Sequence, residues 1–433
     1  MKKIFVSVGL AAAGASGLPS VHAQSMDAGA SPKIWNVAAN LRGFYDDNYA
    51  VAHNKTGSFG FELSPSVSAN VALRQTDIGV RYTFGMYYYL QRAQNGIDPL
   101  DYTHQGDFWL DHSFNERFKL TIADTLAIGQ DPQLVQGGSV IRVNGNNVAN
   151  TANVTLNSQW TRQFSTTTHY SILSVNYTDG GTNSPSNPSQ AALLNRIQQD
   201  IGTTFNWEFQ PETTGFIGYD FTWVDYTGNS QIAPLYVLID PPKAPRNVYY
   251  YSDARNYRSH TLYVGVSKVF SPNLSSSVSL GATSTYLYND PISKQTSLSP
   301  YANASVTYTY MPGCYVQANF TQTQNATDVS TPGPDGQLTQ YQESSIFTLS
   351  LNHQLTSKLS GSVIGGYQYS SYKDGAYNNN TGDSTVNAGL HLNYTINRHF
   401  TANAGYDFSE LFSTINQRGN SRNVVYLGLG ANY

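Results

Sequence analysis

Val424-Val425-Tyr426-Leu427-Gly428-Leu429-Gly430-Ala431-Asn432-Tyr433 ends the chain. From Val425 onward it alternates without a break. Val425, Leu427, Leu429, Ala431 and Tyr433 fall on one face, Tyr426, Gly428, Gly430 and Asn432 on the other. Successive side chains of a strand point to opposite sides, so this period of two marks a β-strand with one apolar and one small or polar face. The preceding segment repeats the pattern, with Phe400, Ala402, Ala404, Tyr406 and Phe408 against Thr401, Asn403, Gly405, Asp407 and Ser409. Before that come Val386, Ala388, Leu390, Leu392 and Tyr394 against Asn387, Gly389, His391 and Asn393.

A soluble sandwich would alternate too; the connections distinguish the two. Period-two segments recur near 34–46, 58–71, 77–90, 101–114, 117–129, 148–161, 166–178, 193–209 and 213–226, then near 256–270, 273–288, 297–310, 314–325, 342–355, 357–371, 384–396, 398–410 and 422–433. Every second connection is tight: 72–76, 115–116, 162–165, 210–212, 271–272, 311–313, 356 and 397. The others, such as 131–147, 179–192, 228–255 and 328–341, are long and rich in Asn, Gly, Pro and Asp. Short turns at one rim and long loops at the other belong to an all-β transmembrane antiparallel barrel, with periplasmic turns and extracellular loops. The expected count is about eighteen strands, or sixteen if one hairpin is divided too finely. Hydrocarbon cannot satisfy backbone N–H or C=O groups, so such a sheet must close on itself. Trp160, Trp207 and Phe270 then fall at the short-turn rim, and Tyr88, Tyr177, Tyr286 and Tyr369 near the long-loop rim, as two interfacial girdles.

Charged residues make up only 12% of the 433 positions, and the 32 Tyr outnumber the 24 Lys and Arg together. The net charge of −4 argues against nucleic acid, which requires a clustered basic surface. A single cysteine, Cys314, excludes an intramolecular disulfide and Cys-based metal sites. At the other end, Lys2 and Lys3 precede an apolar run from Ile4 to Ala15, and Val21-His22-Ala23 supplies small residues for cleavage before Gln24. The run is shorter than the roughly 20 residues of a spanning helix, so residues 1–23 read as a cleaved signal peptide. Residues 24–33 are then a short periplasmic segment, and 34–433 the outer-membrane barrel.

Two stretches carry a resemblance. The closing strand, with Val425, Leu427, Leu429, Ala431 and Tyr433 as its apolar row, resembles the C-terminal signal by which bacterial outer-membrane proteins are recognised for insertion, with Tyr where Phe is usual. That resemblance implies the barrel-assembly machinery as a partner. Gly43-Phe44-Tyr45-Asp46-Asp47-Asn48-Tyr49, followed by Phe61-Glu62-Leu63-Ser64-Pro65, is similar to the opening of the putative outer-membrane β-barrel porin family. Its members are porin-like barrels often found with exopolysaccharide export systems, and the resemblance covers about the first third of the chain.

Assigning faces by parity places Arg42, Asp46, Glu62, Arg81, Asp107, Asp111, Lys119, Arg196, Asp200, Glu208, Asp220 and Asp407 on the lumen side. Acids outnumber bases there, which fits a mildly cation-preferring pore; paired charges that merely hydrate the interior fit equally well. Two loops are placed to narrow a channel. Loop 131–147 is the third long one, and 228–255 carries Tyr236, Pro241, Pro242, Pro245, Tyr249, Tyr250 and Tyr251, rings that could stack on sugar faces; both also suit an ordinary surface loop. Asp124 sits among Phe118, Leu120, Ile122, Leu126 and Ile128 on the lipid parity. Either a β-bulge re-aims it into the lumen, the preferred expectation, or a neighbouring subunit covers it.

No nucleophile elbow, His-Glu-x-x-His or phosphate loop occurs, and His104, His112, His169, His353 and His391 are scattered over different strands. No catalytic residue, cofactor or metal is expected. The function expected is a porin-like channel for small hydrophilic solutes, in contact with outer-membrane lipid. A barrel for polysaccharide export, and a barrel that serves as platform for enzymatic or adhesive loops, are the alternatives, and a homo-oligomer remains open.

Overall fold

The computed structural model describes residues 33–433 apart from 130–134, 137–138, 141–145, 179–183, 239–244, 293, 295 and 378–380. Residues 1–23, expected to be a signal peptide, and nearly all of the expected periplasmic segment 24–33 therefore lie outside the described residues. Eighteen strands form one antiparallel sheet. They are β1 (Trp35–Asp46), β2 (Ser58–Ala72), β3 (Thr76–Tyr89), β4 (Leu100–Ser113), β5 (Phe118–Gly129), β6 (Asn147–Gln159), β7 (Phe164–Tyr177), β8 (Arg196–Gln210) and β9 (Thr213–Tyr226). The second half comprises β10 (Tyr257–Ser271), β11 (Leu274–Leu287), β12 (Thr296–Met311), β13 (Cys314–Asn325), β14 (Tyr341–Gln354), β15 (Leu359–Lys373), β16 (Gly382–Thr395), β17 (Phe400–Ser413) and β18 (Asn420–Asn432). Each pairs with its neighbours in sequence, and β1 pairs with β18 from Ala38↔Asn432 to Asp46↔Val424, so the sheet closes and no edge is left.

The seam is tight at the chain end. The Tyr433 N–H donates to the Val37 carbonyl at 2.9 Å, and its ring packs 5.9 Å from that of Trp35. Leu427 and Leu429 stand 69% and 59% exposed on the outer row, beside Leu41. The same row runs round the barrel through Leu63, Val80, Ile201, Val264, Leu280 and Leu390, all exposed. Exposed aliphatic side chains in a continuous band are what a hydrocarbon solvent selects.

The tight rim is built from side-chain-closed turns. In four of them the residue at the second position caps the next two free amides: Asn115 accepts from Arg117 and Phe118, Thr161 from Gln163 and Phe164, Thr356 from Lys358 and Leu359, and Asn397 from His399 and Phe400. Asn and Thr favour such turns because the side chain mimics the missing backbone acceptor. In the two-residue turns Glu212 and Gly313 take positive φ.

Three expectations are corrected. The segment near 193–209 begins later, because residues Gln190–Leu194 form a short helix capped by Ser189. Tyr177 does not join an interfacial girdle: it is 6% exposed on the inner row of β7, under the loops. Asp124 is not re-aimed by a bulge. The ladders of β5 with β4 and β6 run through it without a register shift, opposite Phe108 and Ala152, so it stays on the outer row. Asn150, on the same row of β6, donates to its carboxylate at 3.2 Å.

Candidate functional site: the barrel interior and its outer mouth

Because the exposed row fixes the parity of every strand, the other row faces inward, and all twelve residues named from the sequence stand on it. The pairing joins six of them in three ion pairs across neighbouring strands and gives four others a basic partner outside the set. Arg42 reaches Glu62 at 3.4 Å and stacks 4.5 Å over the Tyr426 ring. Arg81 meets Asp107 at 2.9 Å, where Gln105 and Thr125 also donate to the carboxylate. Lys119 lies 3.2 Å from Asp111. Asp200 and Asp220 share His169, and Asp407 takes His391 at 2.8 Å. Asp46 is fully buried and held by Arg422, while Arg196 is 3% exposed and donates to the Leu194 carbonyl. Glu208 is exposed at the tight-turn end of β8.

Sequence reasoning placed loop 228–255 at the channel mouth but missed the histidine partners and the core that this loop shares with two others. Ala149, Val175 and Tyr177, on the inner row at the outer ends of β6 and β7, pack with Leu193, Leu194, Ile232, Val248, Tyr250 and Leu338. The described parts of three loops, at 184–195, 227–238 with 245–256, and 326–340, thus fold inward and share one apolar core over the barrel. Each fully buried Leu, Ile or Val there contributes about 1.5–3 kcal/mol. Loop polar groups need partners once water is excluded. Arg255 supplies them: its side chain is wholly buried, and it donates to the carbonyls of Leu193, Thr327, Val329 and Thr339. Tyr250 donates to the Gly336 carbonyl and Tyr236 to that of Pro334, which ties 228–255 to 326–340, while Tyr249 and Tyr251 stay about half exposed. The inward loop expected at 131–147 lies for the most part outside the described residues.

A second fastening uses charge. Arg418, between β17 and β18, holds Asp328 at 2.7 Å and Asp383 at 2.7 Å, and both carboxylates are nearly inaccessible. Two clefts open to either side of it. One, of about 710 Å³, is lined by Ala52, His53, Asn54 and Ile415–Arg418. The other, of about 400 Å³, lies against Asn187, Leu193, Asp328 and Thr331.

Comparison with protein families matches residues 34–433 to the family described as Putative beta-barrel porin 2. The search of curated proteins gives no match. Among solved structures, the chain is similar to OccAB4 of Acinetobacter baumannii (TM-score 0.42, 10% identity, 93% of this chain and 99% of that one). It is also similar to the outer membrane protein OpdK of Pseudomonas aeruginosa (0.45, 9%, 92% and 99%) and to the siderophore receptor PirA of the same organism (0.40, 8%, 92% and 80%).

Proposed function

The chain belongs to the Putative beta-barrel porin 2 family, and from that membership we propose that its inner-row charges, apart from the buried Asp46 and Arg196, line a water-filled path for small hydrophilic solutes, narrowed at the outer mouth by the folded loops. It is an outer-membrane β-barrel of the porin kind, and a barrel of 18 strands is wide enough to leave an aqueous channel. The observation that carries the reading is the closed ladder with a polar inner row beneath an exposed apolar outer row.

Eight of the twelve residues named from the sequence are acids and four are bases. Ion pairs neutralise several of them locally without removing the excess, so cations concentrate in the path and anions are repelled. The test is the reversal potential across a KCl gradient: K⁺ is favoured, the preference fades as salt shortens the Debye length to about 3 Å at 1 M, and Asp107→Asn with Asp111→Asn weakens it. Anion preference in the unmodified protein would refute this lining.

Saccharide passage is the second reading, favoured by the half-exposed rings of Tyr249 and Tyr251 beside the mouth. The exposed row Val425, Leu427, Leu429, Ala431 and Tyr433 is the insertion signal in this account, read by the barrel-assembly machinery. The Asp124–Asn150 pair is where a neighbouring copy would rest if the barrel oligomerises.

A further inference from the structure

His169 on β7, Asp200 on β8 and Asp220 on β9 come from three adjacent strands and meet on the inner row, near mid-height of the wall. The residue that lets them meet is Gly202. It pairs with His169 on one side and with Asp220 on the other. A Cβ at 202 would stand 1.9 Å from Asp220 Oδ1 and 2.5 Å from His169 Cε1, so the imidazole and the carboxylate lean into the notch that the missing side chain leaves. His169 Nε2 is 2.8 Å from Asp200 Oδ1 and 3.7 Å from Asp220 Oδ1, and all three donors lie within 4.8 Å of one another. No other three His, Cys, Asp or Glu donors converge this closely among the described residues.

Two further observations distinguish the cluster from a plain ion pair. Asp220 Oδ1 is shielded from solvent and accepts no hydrogen bond. An acceptor left so has lost its hydration with no bond to replace it, a larger penalty for a charged group. Asp200 is oriented from behind, because Thr222 Oγ1 donates to its other oxygen, Oδ2, at 2.6 Å. A carboxylate fixed through its second oxygen is how protein ligands are usually aimed at a metal.

We propose that His169, Asp200 and Asp220 form a lumenal binding site for a first-row divalent cation, with Zn²⁺ as its probe. One imidazole nitrogen and two carboxylate oxygens, with the remaining coordination positions open to the lumen, match the three-ligand pattern of open zinc sites. Calcium wants six to eight oxygens at longer distances and is poorly served here. Metal–ligand bonds of about 2.0–2.2 Å put neighbouring donors about 3–3.5 Å apart, which the present separations bracket. The ion would replace the direct contact between His169 Nε2 and Asp200 Oδ1, and give Asp220 Oδ1 the partner it lacks. Its charge would also offset two neighbouring carboxylates of the inner wall.

The test uses the full-length barrel without an affinity tag, purified in detergent and titrated with Zn²⁺ by calorimetry. Heat-modifiable migration checks the fold of every variant. The unmodified protein binds one Zn²⁺ per chain with micromolar or tighter affinity, and Ca²⁺ does not compete. Asp220→Asn and His169→Gln each weaken binding at least tenfold, whereas His391→Gln, in the other inner-row His–Asp pair, leaves it unchanged. Absence of saturable Zn²⁺ binding, or affinity unchanged in Asp220→Asn, overturns the proposal. Should the variants fail to fold, X-ray absorption at the zinc edge of the unmodified protein decides: one imidazole with oxygen donors supports the site, while several imidazoles or a sulfur donor refute it.

Discussion

Replacing Arg418 with Met tests whether the outer mouth is a folded assembly rather than a set of independent loops. Arg418 joins Asp328, in the loop after β13, to Asp383, at the start of β16, and its side chain is 10% exposed against 4% and 0% for the two carboxylates. Removing one partner of a buried ion pair costs about 3–5 kcal/mol, because the opposite charges stay buried without it. Here two carboxylates would be stranded, so the upper part of that range applies. At about 1.4 kcal/mol per decade the open fraction of the mouth rises by about three to three and a half orders of magnitude. Of the barrel strands only β16 takes part, at its outer end through Asp383, so the fold and its heat-modifiability remain. Thermolysin reports the change directly, since Val329 and Leu338 are buried in the closed assembly and cleavage of a transiently open segment tracks its open population. Adding Asp328→Asn and Asp383→Asn removes the stranded charges and restores most of the protection. An Arg418→Met protein cleaved between 326 and 340 no faster than the parent, or a triple variant as labile as the single one, would refute the reasoning.

Further outcomes follow from the same geometry. Leu427→Asp with Leu429→Asp puts charge on the most exposed part of the lipid-facing row beside the β1–β18 seam, at a cost of up to a few kcal/mol; the folded, heat-modifiable band is lost, and normal levels of it would contradict the face assignment. Asp124→Leu removes an acid from the same outer row, so the barrel resists a higher temperature before its band shifts; a lower transition would mean that a neighbouring chain, not lipid, meets this face. At the mouth, burial raises the Asp47 carboxyl, but hydrogen bonds from Lys55 and Asn423 and the Lys55 charge outweigh it and hold the group below its usual 3.8. A depressed carboxylate stabilises the folded loop above pH 3.8 and loses that contribution as pH falls through its lower folded value. Hydrogen exchange of residues 47–57, corrected for intrinsic rates, therefore accelerates below pH 3.8 in the parent, and this acid step shrinks in Lys55→Met.

The barrel was legible because a strand exposed to lipid on one side and to water on the other must alternate, and β16, β17 and β18 do so at nearly every position. Strand number and inner-row membership then needed only local parity and the contrast between turns and loops. What stayed hidden depends on the relation between strands. His169, Gly202 and Asp220 are far apart in sequence, and only the registers of β8 with β7 and β9 show that the glycine lies between the other two. How the mouth is held together was hidden for another reason. Arg255 reads as a solvated loop charge, yet it is wholly buried, because loops that fold inward need donors for their own carbonyls. Asp124 misled because the cost of an acid in hydrocarbon suggested a bulge, whereas Asn150 meets part of its hydrogen-bonding need on the outer row.

The central claim is that this barrel encloses a water-filled path for small hydrophilic solutes. Swelling of liposomes carrying the purified protein, in isosmotic solutions of neutral solutes from glycerol through monosaccharides to oligosaccharides, tests it most directly. The account predicts swelling well above that of protein-free liposomes for the smallest solutes, with rates falling steeply as solute size grows and rising for the larger ones in Arg418→Met. Rates equal to those of protein-free liposomes for every solute, in both proteins, would contradict it.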